Sequence, residues 1–203
     1  MANVVQREMK ALIGEVKSSV ALTAAATALV WTAFLADVVT GGALLAYGVQ
    51  PRTAAGLIGL VTMPLLHGGL WHIVGNTIAG IPLALLSMER KRTDFLVVTA
   101  VSSVTAGLGA WLFGATGSVH VGASGVVFGL LGFLMARGFF ERRVAPILLS
   151  LFVGTFWGGL LVSMIPGLFA GISWQAHLFG FLGGVGVARA LGKRLRQEGR
   201  SKG

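Results

Sequence analysis

Ser124, within Gly122-Ala123-Ser124-Gly125, and His177, within Ala176-His177-Leu178-Phe179-Gly180, are the side chains of this sequence best suited to chemistry. A serine hydroxyl becomes a nucleophile when a base takes its proton, and a neutral imidazole is the usual base. Glycines at 122 and 125 permit a sharp turn into a helix and close approach of a substrate backbone. A helix starting at Ser124 would also aim unpaired N–H groups and a positive dipole end at the place where an oxyanion forms. His72 and Asn76 are related as i, i+4 and share one helix face, and both offer the donors that an oxyanion hole needs. His67 precedes them and is expected to brace the segment 37–71 rather than touch substrate. Each residue has a plainer reading: a helix N-cap for Ser124, an interhelical contact for His177, partners for loop backbone for His72 and Asn76.

Other chemistries are poorly served. The chain has no cysteine, so thiolate metal sites and disulfides are excluded. No His-Glu-x-x-His occurs, which removes the ligand spacing and base of a zinc protease. There is no pair of membrane-embedded aspartates for a two-carboxylate mechanism. The histidines are His67, His72, His120 and His177, and Asp37 is the one acidic residue expected on their side. Serine with histidine remains, and no metal or cofactor is expected.

The elements that must position these residues are membrane spans. Of 203 residues, 55% are hydrophobic and 11% charged, where a soluble domain carries roughly a quarter charged. The apolar runs are long enough to cross a bilayer. They predict spans at 18–36, 72–88, 95–113, 124–136, 144–165 and 174–191. Every lysine and arginine except Arg52 falls on alternate connections. That positive-inside pattern puts both termini in the cytoplasm and argues against a nucleic-acid face behind the net charge of +9. The expected fold is all-α, a polytopic six-helix membrane bundle (18–191) between a cytoplasmic N-terminal segment (1–17) and a basic cytoplasmic tail (192–203). The tail beyond Lys193 is expected to be disordered. The stretch 37–71 is too apolar for a solvated loop and reads as short interfacial helices.

The fourth span is expected to be short. From Ser124 to Ala136 a helix covers about 20 Å, against a hydrocarbon core of roughly 30 Å. The lead-in from Gly114 to Ala123 is rich in glycine and polar residues and reads as a re-entrant loop, tolerated only where protein or a wet cavity shields it. Reckoned from Arg137, Ser124 lies about 10 Å below the outer face of the core. His177, Gly180 and Gly184 fall on one face, and Gly125 and Gly129 repeat the small-residue spacing on the fourth helix, so the two can pack closely. Phe128, one turn below Ser124, is placed to stack on the imidazole, or is simply a core side chain. Phe152, Phe156 and Trp157 face either lipid or the sixth helix.

His67-x4-His72-x3-Asn76 in the second span, Gly122-Ala123-Ser124-Gly125 opening the fourth and Ala176-His177-x2-Gly180-x3-Gly184 in the sixth together resemble the signature of the rhomboid family, in order along nearly the whole chain. The resemblance implies a bacterial, six-span intramembrane serine protease with Ser124 as nucleophile and His177 as base. It implies oxyanion donors from the Ser124 amide, His72 and Asn76, and gating by the fifth helix and the loop after it. It further implies transmembrane protein substrates with a single span, an inner-membrane location and a site opening to the extracytoplasmic side. Many members carry Trp-Arg about eight residues before the first histidine; here Ile58-Gly59 stands there, with Arg52 as the available substitute. Phe128 stands where some members have tyrosine. A catalytically silent rhomboid-like binding protein and a small transporter are the alternatives. The transporter fits poorly, because the cytoplasmic halves of the spans are almost purely apolar.

Overall fold

The structure, a computed structural model, describes residues 2–200. Six long helices carry the fold: α1 (Ala2–Val39), α2 (Leu70–Ser87), α3 (Arg92–Phe113), α4 (Ser124–Glu141), α5 (Val144–Trp157) and α6 (Trp174–Arg200). No strand is present among the described residues beyond one isolated bridge, Val49 with His120. The chain is an all-α polytopic membrane protein. Five stretches are long and apolar enough to cross a bilayer: Val4–Val39, Leu70–Ser87, Arg92–Phe113, Ser124–Glu141 and Val144–Met164. The sixth expected span, within α6, is long but less apolar, since it carries Gln175, His177 and Arg189 and ends in a basic run.

Helix α4 is the centre of the bundle. Val127, Phe128, Leu130, Leu131, Phe133 and Leu134 are all buried in the main core, together with Leu83 of α2 and Val98 of α3. Its closest neighbour is α6, which also runs along α3. Glycine makes this possible. A Cβ on Gly180 would collide with the Gly125 carbonyl, and one on Gly184 with the Gly129 carbonyl. Helix α5 lies at the edge, with Phe152 and Phe156 outward at 46% and 69% exposure and Trp157 turned in against the core.

Several boundaries differ from those expected. Helix α4 runs five residues past Ala136 to Glu141 and spans about 27 Å. Arg137 does not end it, because that side chain is 2% exposed and donates through Nε to Glu141 at 2.8 Å and through Nη2 to Glu89 at 3.3 Å. A paired arginine can continue a helix where an unpaired one would have to reach water, so Arg137 is no gauge of depth for Ser124. The segment expected as 1–17 is helical from Ala2, making α1 38 residues long. The tail expected to be disordered is helical as far as Arg200, supported by an i, i+4 pair between Arg194 and Glu198, and residues 201–203 lie outside the described residues. The fifth span changes after Trp157 to a 3-10 helix, Gly158–Met164, which opens on Gly158-Gly159. The 40–69 connection holds short helices, as expected within 37–71, at Ala43–Tyr47, Ala55–Ile58, Gly59–Thr62 and Met63–Leu65.

Candidate active site

The lead-in 114–123 is irregular, and its backbone is held from three sides. His120 exchanges both backbone hydrogen bonds with Val49, at 2.8 and 2.9 Å, and the Gly122 amide donates to the Met63 carbonyl at 2.9 Å. The His120 ring bridges Ser118 Oγ (2.9 Å) and Ser173 Oγ (2.8 Å), tying the loop to the start of α6. Burial lowers the pKa of that imidazole from its ordinary value. Arg52 donates to the Leu112 carbonyl at 2.9 Å and to Thr116 Oγ1 at 2.7 Å, so it braces the first connection against the end of α3. Gly59 explains why no large side chain stands at its position: a Cβ there would lie 2.5 Å from the Val49 Cα.

This framework delivers Ser124 as the first residue of α4, half-buried. Neither its hydroxyl nor its amide has a hydrogen-bond partner among the described residues. The turn into the helix requires Gly122, whose φ of +123° disfavours any side chain. Its bare α-carbon is where two polar side chains converge. A Cβ at Gly122 would meet His72 Nε2 at 2.5 Å and Asn76 Nδ2 at 3.6 Å. His72 and Asn76 therefore face the residues just ahead of Ser124.

His67 does more than brace the segment before it. Its Nε2 lies 3.0 Å from Asn76 Nδ2 and accepts the Ala123 backbone N–H at 3.3 Å. One ring nitrogen thus links α2 to the residue preceding Ser124. Since both partners are obligate donors, Nε2 must be unprotonated. Burial, and secondarily the neighbouring His72, push the His67 pKa down to about 4, which keeps the ring neutral. The ring centroids of His67 and His72 are 5.1 Å apart in an edge-on arrangement.

His177 is 7% exposed and stacked flat on Phe128, with centroids 4.2 Å apart and planes 10° from parallel. A Cβ on Gly125 would lie 3.4 Å from the Ala176 carbonyl, so the residue after Ser124 touches the residue before His177. No hydrogen bond joins the Ser124 hydroxyl to the imidazole. Such catalytic contacts are often long until substrate binds. The imidazole instead makes a contact that the sequence did not announce: its Nδ1 lies 2.9 Å from Ser163 Oγ, in the 3-10 segment after α5. A lone serine near the end of an apolar span is too common to have singled out Ser163.

The fold and this cluster define an integral membrane bundle with serine, asparagine and histidine gathered at one end. The chain belongs to the rhomboid family, an intramembrane protease family, whose domain matches residues 54–194. It is 37% identical over 171 residues to an uncharacterized protein of Mycobacterium tuberculosis, covering 81% of this chain and 71% of that one. A Mycobacterium leprae protein is 35% identical over 173 residues, covering 81% and 68%. YdcA of Bacillus subtilis, named as a candidate rhomboid protease, is 34% identical over 128 residues, or 62% of each chain.

Proposed function

We propose that this protein is a serine endopeptidase that cuts single-span membrane proteins within or near the bilayer, with Ser124 and His177 as a catalytic dyad. The observation that carries the reading is the convergence at Gly122. The Nε2 of His72 and the Nδ2 of Asn76 meet there, beside a free helix N-terminus headed by Ser124. That is the donor set for a tetrahedral oxyanion, with the Ser124 amide as the third member. His67 takes one amide proton of Asn76, which leaves the other to face the substrate oxygen.

In the reaction, Ser124 Oγ attacks the scissile carbonyl carbon while His177 Nε2 takes the hydroxyl proton. The oxyanion is held by the Ser124 amide, His72 and Asn76. On collapse the C–N bond breaks and His177 returns its proton to the leaving amine. Water, deprotonated by His177, then releases the acyl group and restores Ser124. The glycine contacts between α4 and α6 support the required approach of serine and imidazole. The distribution of basic residues supports cytoplasmic termini, an inner-membrane location and a site open to the extracytoplasmic side.

A fluorophosphonate should label Ser124 in the parent protein and fail to label the His177→Ala variant. Cleavage of a single-span test substrate should vanish in Ser124→Ala and fall about 10²–10³-fold in Asn76→Ala. A Ser124→Ala protein that cleaves like the parent overturns the reading. A bundle that binds such substrates without cutting them, with Ser124 unlabelled, supports the silent binding protein instead.

A further inference from the structure

We infer that Ser163 is a positioning residue that fixes the proton on His177 Nδ1 and so leaves Nε2 as the basic nitrogen facing Ser124. The inference rests on the dyad reading above and supplies the part that reading lacks. A histidine that acts as a base through one nitrogen needs the other held as N–H by an acceptor; in many serine proteases a carboxylate does this. Here no carboxylate is available. Of the seven acidic residues, Asp37 accepts the Leu44 amide at the turn after α1, Asp94 pairs with Arg90, and Glu89 and Glu141 pair with Arg137 at the far end of the bundle. Glu8 and Glu15 lie in the exposed first turns of α1, and Glu198 pairs with Arg194.

Two distances decide the proton's place. Ser163 Oγ lies 2.9 Å from His177 Nδ1 and 2.8 Å from the Leu160 carbonyl. A hydroxyl has one proton to give and lone pairs to receive. If Ser163 donates to Nδ1, the carbonyl contact is lost and one hydrogen bond is made. If it donates to the Leu160 carbonyl, which can only accept, its oxygen is free to accept Nδ1–H and both bonds are made. The second arrangement wins by one bond. It fixes the tautomer in which Nε2 keeps its lone pair. Phe128, stacked on the ring face, limits tilting of the ring but does not select between tautomers.

The test compares Ser163→Ala with Ser163→Thr, which keeps the hydroxyl. In Ser163→Ala, kcat and the rate of fluorophosphonate labelling at Ser124 should fall together by roughly tenfold, the worth of one ordinary hydrogen bond, with KM unchanged. Ser163→Thr should recover most of both. The ¹⁵N spectrum of imidazole-labelled protein, with His177 assigned by its loss in His177→Ala, should show a protonated Nδ1 in the parent and a shift toward protonated Nε2 in Ser163→Ala. Parent-like kcat in Ser163→Ala, an equal loss in Ser163→Thr, or an unprotonated Nδ1 in the parent would each overturn the assignment. The nitrogen spectrum needs no turnover. A parent that neither cleaves nor labels therefore defeats the protease reading, while the tautomer is still decided separately.

Discussion

At the scale of the residue, one imidazole nitrogen holds two sides of the candidate site together. His67 Nε2 receives both the Asn76 amide and the Ala123 N–H, so a proton on that nitrogen would replace the acceptor with a donor facing two other donors. A free histidine titrates near 6.5, whereas His67 in the fold titrates at about 4. Between those values the unfolded chain binds the proton and the native chain does not, so stability rises with pH. The contribution is complete above about 6.5 and is lost as pH falls through about 4. Thermal unfolding in detergent should therefore show Tm falling across that window, with a shallower fall in His67→Gln, which keeps an acceptor but does not titrate. Equal slopes in the two proteins would show that His67 is not the group responsible. The sequence placed His67 ahead of the second span and marked it as a brace. What it braces depends on a loop arriving from residue 123, and spacing along one helix carries no information about that. Ser163 escaped notice for the same reason: its partner is on another helix, and a hydroxyl in an apolar run carries no mark of having one.

Whole helices were far more legible, because apolar runs and glycine spacing are local properties that survive into the fold. The face bearing Gly180 and Gly184 meets the carbonyls of Gly125 and Gly129, backbone against backbone. Neither partner can rotate away as a side chain would, so an added methyl must push the helices apart. Gly180→Ala should cost about 2–3 kcal/mol, in the upper part of the range for overpacking. A Tm drop of roughly 5–10 °C should accompany it. Gly186 is on the same helix with open space around its α-carbon. Gly186→Ala should be neutral or gain up to about 1 kcal/mol from helix propensity. If the two substitutions have equal effects on Tm, close packing is not what the glycines provide. The boundaries that hydropathy missed are those where charge is compensated. Arg137 reads as the end of a span until Glu141 and Glu89 are seen to neutralise it, and the tail reads as disordered until Arg194 and Glu198 are seen one turn apart.

Across the whole molecule, the two ends of the bundle differ in kind. One end holds the ion pairs of Arg137 with Glu89 and Glu141 and of Arg90 with Asp94, along with the contact between Gly192 and Phe140. The other holds Ser124, His72, Asn76 and His177, and its one lysine or arginine among the described residues, Arg52, is engaged with the Leu112 carbonyl and Thr116. Basic residues resist translocation when they lie in short connections beside a span, so the first end should stay in the cytoplasm. The sequence supplied this asymmetry through charge alone, and folding adds that Arg137, buried and paired, is the basic residue on that side least able to report topology. Because the chain has no cysteine, single cysteines can test the orientation without background. Ala54 and Lys91 are both exposed, on connections at opposite ends. In intact cells stripped of any outer barrier, a membrane-impermeant maleimide should label Ala54→Cys at once and Lys91→Cys only after lysis. The reverse pattern would put the serine–histidine end in the cytoplasm. It would also remove the case for substrates approaching from outside. Equal labelling of both before lysis would mean that the protein does not hold a single orientation, and the charge asymmetry would then have no topological meaning.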